Sequence, residues 1–455
     1  MATSSLPTLA IGARYESMAD LRLACKHHAL TNFFEFTPIK SDKIRYTIRC
    51  KNEACSWRLH ASVVGSTSNV IVRTYENTHK CFGIVGNGHK NLSASFLAEK
   101  IQDKVRVNAS YGGAAIKEDI FLDLGVTISK SKAYRAKELA SITINGTYEE
   151  SYESLPQYCV DLIATNPDTV AIVESKPSSV DANMREFSRM FVSFGAAGKG
   201  FAHCRPLLGL DGTHLKSKYK GILLAATGVD ACGSLFPLAH AVVDAENIDN
   251  WDWFLKALHR IIEQHAPTFL VSGELSFLSD RQKGLLEGVH NNFPDSPHGY
   301  CLKHLAENFY KKFKNKELKS LLWKAASAVN LEEWNKAIDA MNGIDSSAFP
   351  WLEEHAHPEH WAEIFFAGRR YGHLTSNIAE SLNSWLLEAR EKPILPMFEQ
   401  IRKQLMKWYA ERRVNERNTI GLLVQAVTSK IMVRFYLTRL TEGLVQHACK
   451  AISHS

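Results

Sequence analysis

The sequence lacks the features that mark membrane-spanning and secreted proteins. No apolar run in its 455 residues approaches the roughly 20 residues that a helix needs to cross a bilayer. The N-terminus has no basic region followed by an apolar one, so it does not predict a secretory signal. Cysteine is sparse: the nine cysteines are an odd number, spread from Cys25 to Cys449. This spread argues against a disulfide framework and favours a reducing compartment.

No single sign of charge dominates the composition, but the charge is unevenly placed. Residues 1–100 contain 13 Lys/Arg and 7 Asp/Glu, and residues 401–440 contain 9 Lys/Arg and 2 Glu, whereas the whole chain is only +6. Basic ends around an acidic middle predict a polyanion partner and an acidic site between them. The alternative is that each charge run is a solvated helix face. No membrane partner and no small-molecule substrate is indicated.

Residues 13–90 combine the alternating pattern of half-buried strands with paired metal-ligand residues. Cys50 and Cys55 are separated by four residues, and His79 and Cys81 follow after 23 more. Two close ligand pairs with a small sheet between them are the usual plan of a structural Zn²⁺ site, although two chance pairs in a β-domain remain the alternative. Six basic residues on or between the strands are candidate DNA contacts: Lys40, Lys43, Arg45, Arg49, Lys51 and Arg58.

The rest of the chain predicts a multidomain α/β protein. Residues 206–304 have the order of three strands, a helix and further strands, and they predict the first part of a mixed-sheet core. The fourth strand is predicted to begin at Phe269–Val271 and to end before Asp280. The predicted segments are 1–12 disordered, 13–90 zinc-binding, 91–145 a helical linker domain (helix-turn-helix or a plain bundle), 146–205 a connector, 206–304 core, 305–370 an all-helical insertion, 371–395 a core helix, and 396–455 basic C-terminal helices.

Three acids in the central part are candidate catalytic residues, and each has an ordinary structural alternative. Asp211 ends an apolar run and precedes Gly212, which is also the commonest hairpin-turn signal. Asp280 follows a later strand and could instead cap the next helix. Glu380 lies three residues after Asn377, a spacing typical of a capping box. Taken singly, each acid is better explained by structure than by catalysis.

The joint arrangement of the three acids favours chemistry. Asp211 and Asp280 each follow a strand, and Glu380 lies on the polar face of a helix whose apolar face could pack on the sheet. Three convergent carboxylates are suitable ligands for Mg²⁺ or Mn²⁺. Such ions can activate a water or a 3′-hydroxyl and stabilise the leaving oxygen of a phosphodiester. The acids therefore predict a metal-dependent site for nucleic acid chemistry.

The ordered motifs resemble the Mutator-like (MULE) transposases. The blocks that carry the resemblance begin at Asp211-Gly-Thr-His214, Phe236-Pro-Leu-Ala-His, Ser279-Asp280-Arg, Cys301-Leu-Lys-His304 and Ser376-Asn-Ile-Ala-Glu380. The N-terminal Cys/His spacing resembles the WRKY–GCM zinc-finger group that these proteins carry. The resemblance implies an RNase H-like fold and a DDE triad of Asp211, Asp280 and Glu380 that cuts and joins double-stranded DNA at terminal inverted repeats. It also implies a homo-oligomer on DNA and a nuclear location.

Four further residues are candidate accessory groups. Cys301 and His304 resemble the Cys/His motif of the family, although a buried cysteine and a chance histidine explain them as well. His214 lies in a basic turn that could contact phosphates or could only be solvated. Asn383 shares the polar face of the predicted helix with Glu380.

Two other functions remain open at the level of the sequence. Many relatives end in a further zinc finger, whereas the last residues here, which include Cys449 and His454, offer too few ligands. Proteins of this lineage include transcription factors such as the FAR-RED-impaired-response group, so a non-cutting DNA-binding regulator is the main alternative. A nuclease acting on RNA–DNA hybrids is a weaker one, because the basic zinc domain favours duplex DNA.

Overall fold

The computed structural model describes residues 8–32, 34–65, 67–81, 92–108, 110–178, 181 and 184–417. The chain divides into two compact units, with the boundary between Thr147 and Tyr148, and each unit is described by itself. Among these residues, no helix combines the length and the apolar character that a membrane crossing requires. Predictions that fall on residues 82–91 and 418–455 lie outside the described residues.

The first unit begins with a small antiparallel sheet of strand order β1-β5-β4-β3-β2. The elements are β1 (Arg14–Tyr15), α1 (Met18–Thr31), β2 (Phe36–Ser41), β3 (Arg45–Cys50), β4 (Arg58–Val63) and β5 (Val70–Glu76). Alternation places Tyr46, Ile48 and Leu59 in the core beneath α1, around the fully buried Trp57. The predicted disorder of residues 1–12 is wrong for residues 8–12. Leu9 is buried in this core, and the Gly12 N–H donates to the Val72 carbonyl at 2.9 Å.

Three helices complete the first unit. They are α2 (Ala94–Val107), α3 (Gly113–Leu124) and α4 (Lys130–Asn145). The Ser93 and Ser129 side chains cap the first and last of them by accepting hydrogen bonds from the Phe96 and Lys132 N–H groups. Their apolar faces form a separate core that includes Phe96, Ile101, Ile116 and Ala136. The sequence therefore indicated both the strands and the helices of this unit.

The second unit is a layered α/β structure. Its first part contains α5 (Tyr148–Glu153), α6 (Leu155–Thr165), β6 (Val170–Pro177), β7 (Arg185–Ser193), α7 (Gly195–Phe201), β8 (Arg205–His214), β9 (Ile222–Val229), β10 (Leu235–Val243) and α8 (Ile248–His265). It continues with α9 (Pro267–Val271), β11 (Ser276–Ser279), α10 (Lys283–Asn292), β12 (His298–Tyr300), α11 (Leu302–Phe313), α12 (Lys316–Ser327), α13 (Leu331–Ile344), α14 (Ala348–His355), α15 (Asn377–Trp385) and α16 (Ile394–Arg417).

One mixed sheet organises the second unit. Its strand order is β12-β11-β8-β9-β10-β7-β6, with β12, β11 and β8 parallel and the other neighbours antiparallel. Strands β9 and β10 are buried along almost their whole length because helices cover both faces. The amphipathic helix α8 contributes Trp251, Phe254, Leu258 and Ile261 to the core, and the Asn247 side chain caps its start.

Two predictions about this sheet are wrong. Residues 146–205 are not a connector, because they supply the edge strand β6 and its neighbour β7 together with three helices. The stretch from Phe269 to Val271 is not a strand, since Pro267 starts the short helix α9 and the strand begins only at Ser276. A proline is favourable in the first turn of a helix because the N–H group that it lacks would have no acceptor within the helix at that position.

Helices α11 to α14 form a helical subdomain between β12 and α15. Their buried side chains, among them Phe309, Leu322 and Met341, make a core of their own, to which Trp361 from the segment after α14 also contributes. Arg370 is fully buried beside this core, where its guanidinium pairs with Glu363 at 2.9 Å and donates to the Trp361 carbonyl at 3.0 Å. Trp323, Trp334 and Trp351 lie on α12, α13 and α14, as their spacing predicts. The prediction of helix throughout 305–370 is wrong for residues 361–370, which include Trp361 and form turns and irregular structure.

A close backbone contact at Gly284 holds α10 against the start of α8. A Cβ atom at Gly284 would lie 2.7 Å from the Ile248 nitrogen and 2.8 Å from the Asn247 carbonyl carbon, and neither can move without the backbone. We expect Gly284→Ala to lower the free energy of unfolding by about 1–3 kcal/mol, measured by urea denaturation with tryptophan fluorescence. Gly343→Ala is the control, since a Cβ there meets nothing within 4 Å. Equal stability of the two variants would contradict this expectation.

Candidate functional site

Four predicted zinc ligands come together in the first unit. The ligand atoms of Cys50, Cys55, His79 and Cys81 all lie within 4.8 Å of one another. The Cys50 and Cys81 sulfurs are 3.5 Å apart, and the His79 Nδ1 atom is 3.3 Å from the Cys55 sulfur and 3.5 Å from that of Cys81. Ligand atoms of a tetrahedral Zn²⁺ site with Zn–S bonds near 2.3 Å are separated by about 3.5–3.8 Å. The arrangement is therefore compatible with structural zinc.

Strand pairing places four of the six candidate DNA-contacting residues on one face of the small sheet. Lys40 lies opposite Thr47, and Arg49 lies opposite Arg58. Thr47 lies midway between Arg45 and Arg49 on β3, so all four basic residues share its face and are exposed. Arg45 and Arg49 also pair with nearby acids, Asp42 at 3.5 Å and Glu53 at 2.8 Å.

The other two basic candidates lie outside the strands. Lys43 is exposed in the β2–β3 turn. Lys51 follows β3 and forms an ion pair of 2.5 Å with the buried carboxylate of Glu35. Lys51 is thus paired with a buried carboxylate at the end of the sheet. The other four basic residues lie on the exposed face formed by β2, β3 and β4.

In the second unit, strand register brings Asp211 and Asp280 level with each other. Parallel pairing joins Ser276 to Leu207 and Leu278 to Gly209, and the same register carried two residues further aligns Asp280 with Asp211. Neighbouring strands lie about 4.8 Å apart. Asp211 does not lie in a hairpin turn, because β8 continues to His214 and pairs with β9 throughout. The interpretation of Asp211 as a turn residue, and as the end of its strand, is therefore wrong.

The structure also excludes a capping role for Asp280. The N-cap of α10 is Gln282, whose Oε1 atom accepts from the Leu285 N–H at 2.7 Å. Asp280 instead accepts from the Gln282 N–H at 3.1 Å and lines a cleft of ≈ 730 Å³. Arg281, His304 and Lys311 line the same cleft, so basic side chains surround the position next to the acid.

Burial and the negative charge of Asp280 raise the pKa of Asp211 to about 6. Hydrogen bonds from Asn383 and from the Gly212 N–H act in the opposite direction and favour the charged form. The Asn383 Nδ2 atom donates to Asp211 Oδ2 at 2.6 Å. A buried carboxylate whose pKa is raised by burial and by a second carboxylate beside it is an electrostatic environment in which a divalent cation binds favourably.

Helix α15 carries Glu380 on the face that meets Asp211. Asn383 contacts Asp211, and Glu380 lies one turn earlier on the same side of the helix. The Glu380 carboxylate accepts hydrogen bonds from Lys303 Nζ at 2.8 and 3.0 Å. Glu380 does not close a capping box, because Asn377 is already inside the helix and the cap residue, Ser376, makes no side-chain bond. The structure thus places Glu380 one helical turn from the residue that contacts Asp211 and pairs its carboxylate with Lys303.

A buried arginine fixes α15 against the end of β8. Arg390 is only 8% exposed, and it donates to the His214 carbonyl from Nε at 3.0 Å and from Nη2 at 2.6 Å. Its Nη1 atom donates to the Asn383 carbonyl at 3.4 Å. His214 therefore holds the helix through its backbone, while its side chain is exposed. Nothing in the sequence pattern pointed to Arg390.

Cys301 and His304 do not form a metal site in the described part of the chain. The buried Cys301 sulfur accepts from the Ser376 N–H at 3.3 Å, which ties the start of α11 to the start of α15. His304 faces the cleft beside Asp280. Within the described residues, the Cys50 quartet (Cys50, Cys55, His79 and Cys81) is the one group of three or more His, Cys, Asp or Glu residues whose ligand atoms all lie within 4.8 Å of one another.

Glu246 is an acid that the sequence reasoning missed. It lies in the loop between β10 and α8, and burial together with the charge of Asp280 raises its pKa. Its Oε1 atom accepts from Trp251 Nε1 at 3.2 Å. One signal in the sequence could have identified Glu246. It belongs to the block of the family resemblance that begins at Phe236, and it lies just after β10.

Comparison with protein families identifies two segments of the chain. Residues 207–308, which contain Asp211, Glu246 and Asp280, match the MULE transposase domain. Residues 7–72, which form most of the small sheet, match the MuDR family transposase. Both matches support a Mutator-like transposase family. The matched segments do not include His79, Cys81 or Glu380, so those three assignments rest on geometry and on the motif resemblance.

Two further comparisons add little to the Mutator-like assignment. No curated protein matches the chain. Among solved structures, "Crystal structure of AFT2 in complex with DNA" matches with 14% sequence identity, covering 31% of this chain and 93% of that chain. With a TM-score of 0.14, this similarity supports no statement about the fold.

Proposed function

We propose that this Mutator-like protein cuts and joins double-stranded DNA at the terminal inverted repeats of its element, with Asp211, Asp280 and Glu380 as a DDE triad. One observation carries the proposal. The register of β8 and β11 sets two partly buried aspartates side by side, and α15 brings Asn383 onto Asp211 with Glu380 one turn away. The order of strands around this pair supports an RNase H-like core, since the first acid lies on the interior strand β8 and the second directly follows its parallel neighbour β11.

The residues around the pair are suited to phosphodiester chemistry. Mg²⁺ or Mn²⁺, when bound, would lower the pKa of the attacking water or 3′-hydroxyl and stabilise the leaving oxygen. Asn383 orients the Asp211 carboxylate by donating to Oδ2, and Arg390 keeps the helix that carries Asn383 in place. Arg281 and Lys311 in the adjoining cleft would contact the phosphates on either side of the scissile bond.

The Glu380 carboxylate can bind a cation together with the aspartates only if it gives up its ion pair with Lys303. Lys303 is 48% exposed and Glu380 34% exposed, and an ion pair so open to solvent is worth about 0–1 kcal/mol. A divalent cation between Glu380 and Asp211 would replace this weak attraction with direct coordination. The ion pair with Lys303 is therefore compatible with the triad, and Lys303 is free to bind a DNA phosphate after the exchange.

In this proposal, the first unit binds the DNA. The exposed basic face formed by Lys40, Arg45, Arg49 and Arg58 is suited to phosphates, and zinc bound by the Cys50 quartet would hold the sheet that presents it. The match of residues 7–72 to the MuDR family supports DNA as the partner. We further propose that the protein acts as a homo-oligomer that pairs two element ends, and that it does so in the nucleus.

Strand cleavage by the zinc-loaded full chain tests the proposed function. End-labelled duplexes that carry the sequences flanking the gene are incubated with Mg²⁺, Mn²⁺ or EDTA, and the products are resolved on sequencing gels. We expect nicks at the repeat ends with either metal ion and none with EDTA. Specific binding to the same duplexes without cleavage in either metal would reject the transposase and leave the non-cutting DNA-binding regulator as the function.

A further inference from the structure

Helix α11 lines the cleft beside Asp280 and carries positive charge beyond it. Four of its residues, spaced as one face of a helix, line the cleft: His304, Glu307, Asn308 and Lys311. Three exposed lysines follow on the last turn of α11, at its end and at the start of α12, and we call them the outer lysines: Lys312, Lys314 and Lys316. Lys312 lies one helical turn after Asn308, so the outer lysines begin at the margin of the cleft.

The charge of the outer lysines is not balanced by neighbouring acids. Residues 303–319 contain six lysines and two glutamates. Glu307 pairs with Lys319 at 2.6 Å, and Lys303 pairs with Glu380 at 2.8 Å. Within the part of the chain that the structure describes, neither the outer lysines nor Glu317 forms an ion pair. Concentrated positive charge without a counter-charge is unfavourable by itself, and it favours an anionic partner.

The backbone at Lys314 indicates a use for its side chain. Lys314 ends α11 in the left-handed conformation, with φ of 52° and ψ of 27°, and its N–H donates to the Tyr310 carbonyl at 2.7 Å. Glycine is the usual residue at such a helix end, because a Cβ atom is strained there. A lysine at this position therefore keeps a long basic side chain where the backbone alone favours glycine.

Packing on two sides holds the corner between α11 and α12. Phe309 is fully buried, and its ring centre lies 5.8 Å from that of Trp351 on α14. On the surface, Lys319 Nζ lies 5.5 Å from the Tyr310 ring centre and so joins α12 to α11. The 12 residues of α11 span about 18 Å, the length of about five base pairs of duplex DNA. The basic surface is thus fixed in place and long enough to follow a DNA backbone.

We propose that the outer lysines bind the phosphate backbone of duplex DNA where the duplex leaves the cleft beside Asp280. Continuity with that cleft selects DNA among anionic partners, because Lys311 lines the cleft and directly precedes Lys312. This inference rests on the proposed function and extends it, since it assigns the helical subdomain to one arm of the duplex beyond the scissile bond. Lysine contacts to phosphates carry no sequence information, so this surface positions the duplex and does not read it.

The salt dependence of DNA binding tests the assignment without relying on cleavage. Fluorescence anisotropy measures the affinity of the full zinc-loaded chain for a duplex with the repeat end at its centre, without Mg²⁺ or Mn²⁺, between about 50 and 200 mM salt. Each lost phosphate contact lowers the slope of log K against log salt by about 0.9. We expect the triple variant Lys312→Gln/Lys314→Gln/Lys316→Gln to lower this slope by about 2–3 and to weaken binding about 10- to 100-fold.

A matched triple variant controls for the loss of three charges. Lys176→Gln/Lys256→Gln/Lys336→Gln removes exposed lysines from β6, α8 and α13, and it should keep the wild-type slope.

Lys314→Gly separates charge from folding. Glycine adopts the left-handed backbone without strain, so the urea midpoint of this variant should be no lower than that of the wild type. Its salt slope should still fall by about 0.9, because one phosphate contact is lost. A lower slope in a protein of undiminished stability cannot come from misfolding, so this variant keeps the test decisive if the triple variant fails to fold.

Shortened duplexes identify the arm that the surface holds. Truncating the duplex close to the repeat end, on one side or the other, should lower the wild-type slope by about 2–3 and leave the slope of the triple variant unchanged. If neither truncation distinguished the two proteins, the proposal would be overturned.

The outcomes separate this inference from the proposed function. If the triple variant kept the wild-type slope, or the control lost as much, the outer lysines would have no role in DNA binding, while cleavage by the wild type would still support the transposase. A lower slope in the triple variant of a chain that never cleaves would support the surface and reject the transposase. If the triple variant lost binding to polyglutamate but not to DNA, the partner would be an acidic protein and the proposal would be overturned. A wild-type chain that bound no duplex would overturn both.

Discussion

Cys55→Ser is expected to unfold the small sheet of the first unit and to abolish DNA binding by the full chain. A structural Zn²⁺ site of this type contributes about 10–16 kcal/mol of apparent binding free energy, which matches or exceeds the whole stability of a typical domain, about 5–15 kcal/mol. Cys55 stands close to the His79 Nδ1 atom, and the Lys80 N–H donates to its sulfur at 3.4 Å, so the serine variant would lose a ligand at the centre of the cluster.

Zinc content, protease resistance and DNA binding measure this effect together. Mass spectrometry should find zinc in the wild type and none in Cys55→Ser, and limited proteolysis should degrade residues 14–81 in the variant. Cys232→Ser is the matched control, because Cys232 is an exposed cysteine in the other unit. A Cys55→Ser protein that kept its protease resistance after dialysis against a chelator would show that zinc does not hold this fold.

Asp211→Asn is expected to abolish strand cleavage and at the same time to stabilise the metal-free protein at pH 7. The loss of a cation ligand should lower the cleavage rate at least about 10³-fold, which corresponds to several kcal/mol of lost transition-state stabilisation. The gain in stability comes from the pKa of Asp211, which burial and Asp280 raise to about 6 in the folded protein. Removing the charge should raise the free energy of unfolding by about 2–3 kcal/mol.

The sign of this stability effect can be checked against pH. Because the folded pKa lies above the model value of 3.8, protonated Asp211 stabilises the fold at low pH, and that contribution is lost as the pH rises through about 6. The variant should therefore be more stable than the wild type at pH 7 and equally stable below about pH 4.

Urea unfolding in the presence of EDTA provides the measurement for Asp211→Asn. Eight of the nine tryptophans lie after residue 148, so their fluorescence reports the unit that contains Asp211. Asp339→Asn, which changes an exposed aspartate on α13, controls for the loss of one negative charge. A stability difference that did not depend on pH would show that the strain at Asp211 is steric and not electrostatic.

The zinc site and the aspartate pair could be predicted because their signals are local. The spacing of Cys50, Cys55, His79 and Cys81 brings four ligands to one end of a small sheet, and the structure brings all four together. Alternation identified the strands that carry the basic residues, and the apolar runs before Asp211 and Asp280 identified two strands of one sheet. Their level register followed only from the pairing of β8 with β11.

Contacts between distant segments could not be predicted from periodicity. Lys303 and Glu380 are 77 residues apart, and Arg390 reaches His214 across 176 residues, so no local pattern records either contact. Glu246 was missed because it lies in a loop, where neither helical nor strand period applies. Strands β6 and β7 were missed because neither alternates in burial: β6 is partly buried or exposed along its whole length, and the last four residues of β7 are all buried.

The hydrogen bond between Asn383 and Asp211 joins residues 172 positions apart, and this distance sets an order of events during synthesis. Asp211, Glu246 and Asp280 all leave the ribosome before α15 has been made. At about 5–20 residues per second, Asn383 is added roughly 10–30 s after Asp211. A nascent chain therefore carries the aspartate pair without the helix that contacts Asp211, and only a chain translated past Arg390 has all the residues of the proposed site.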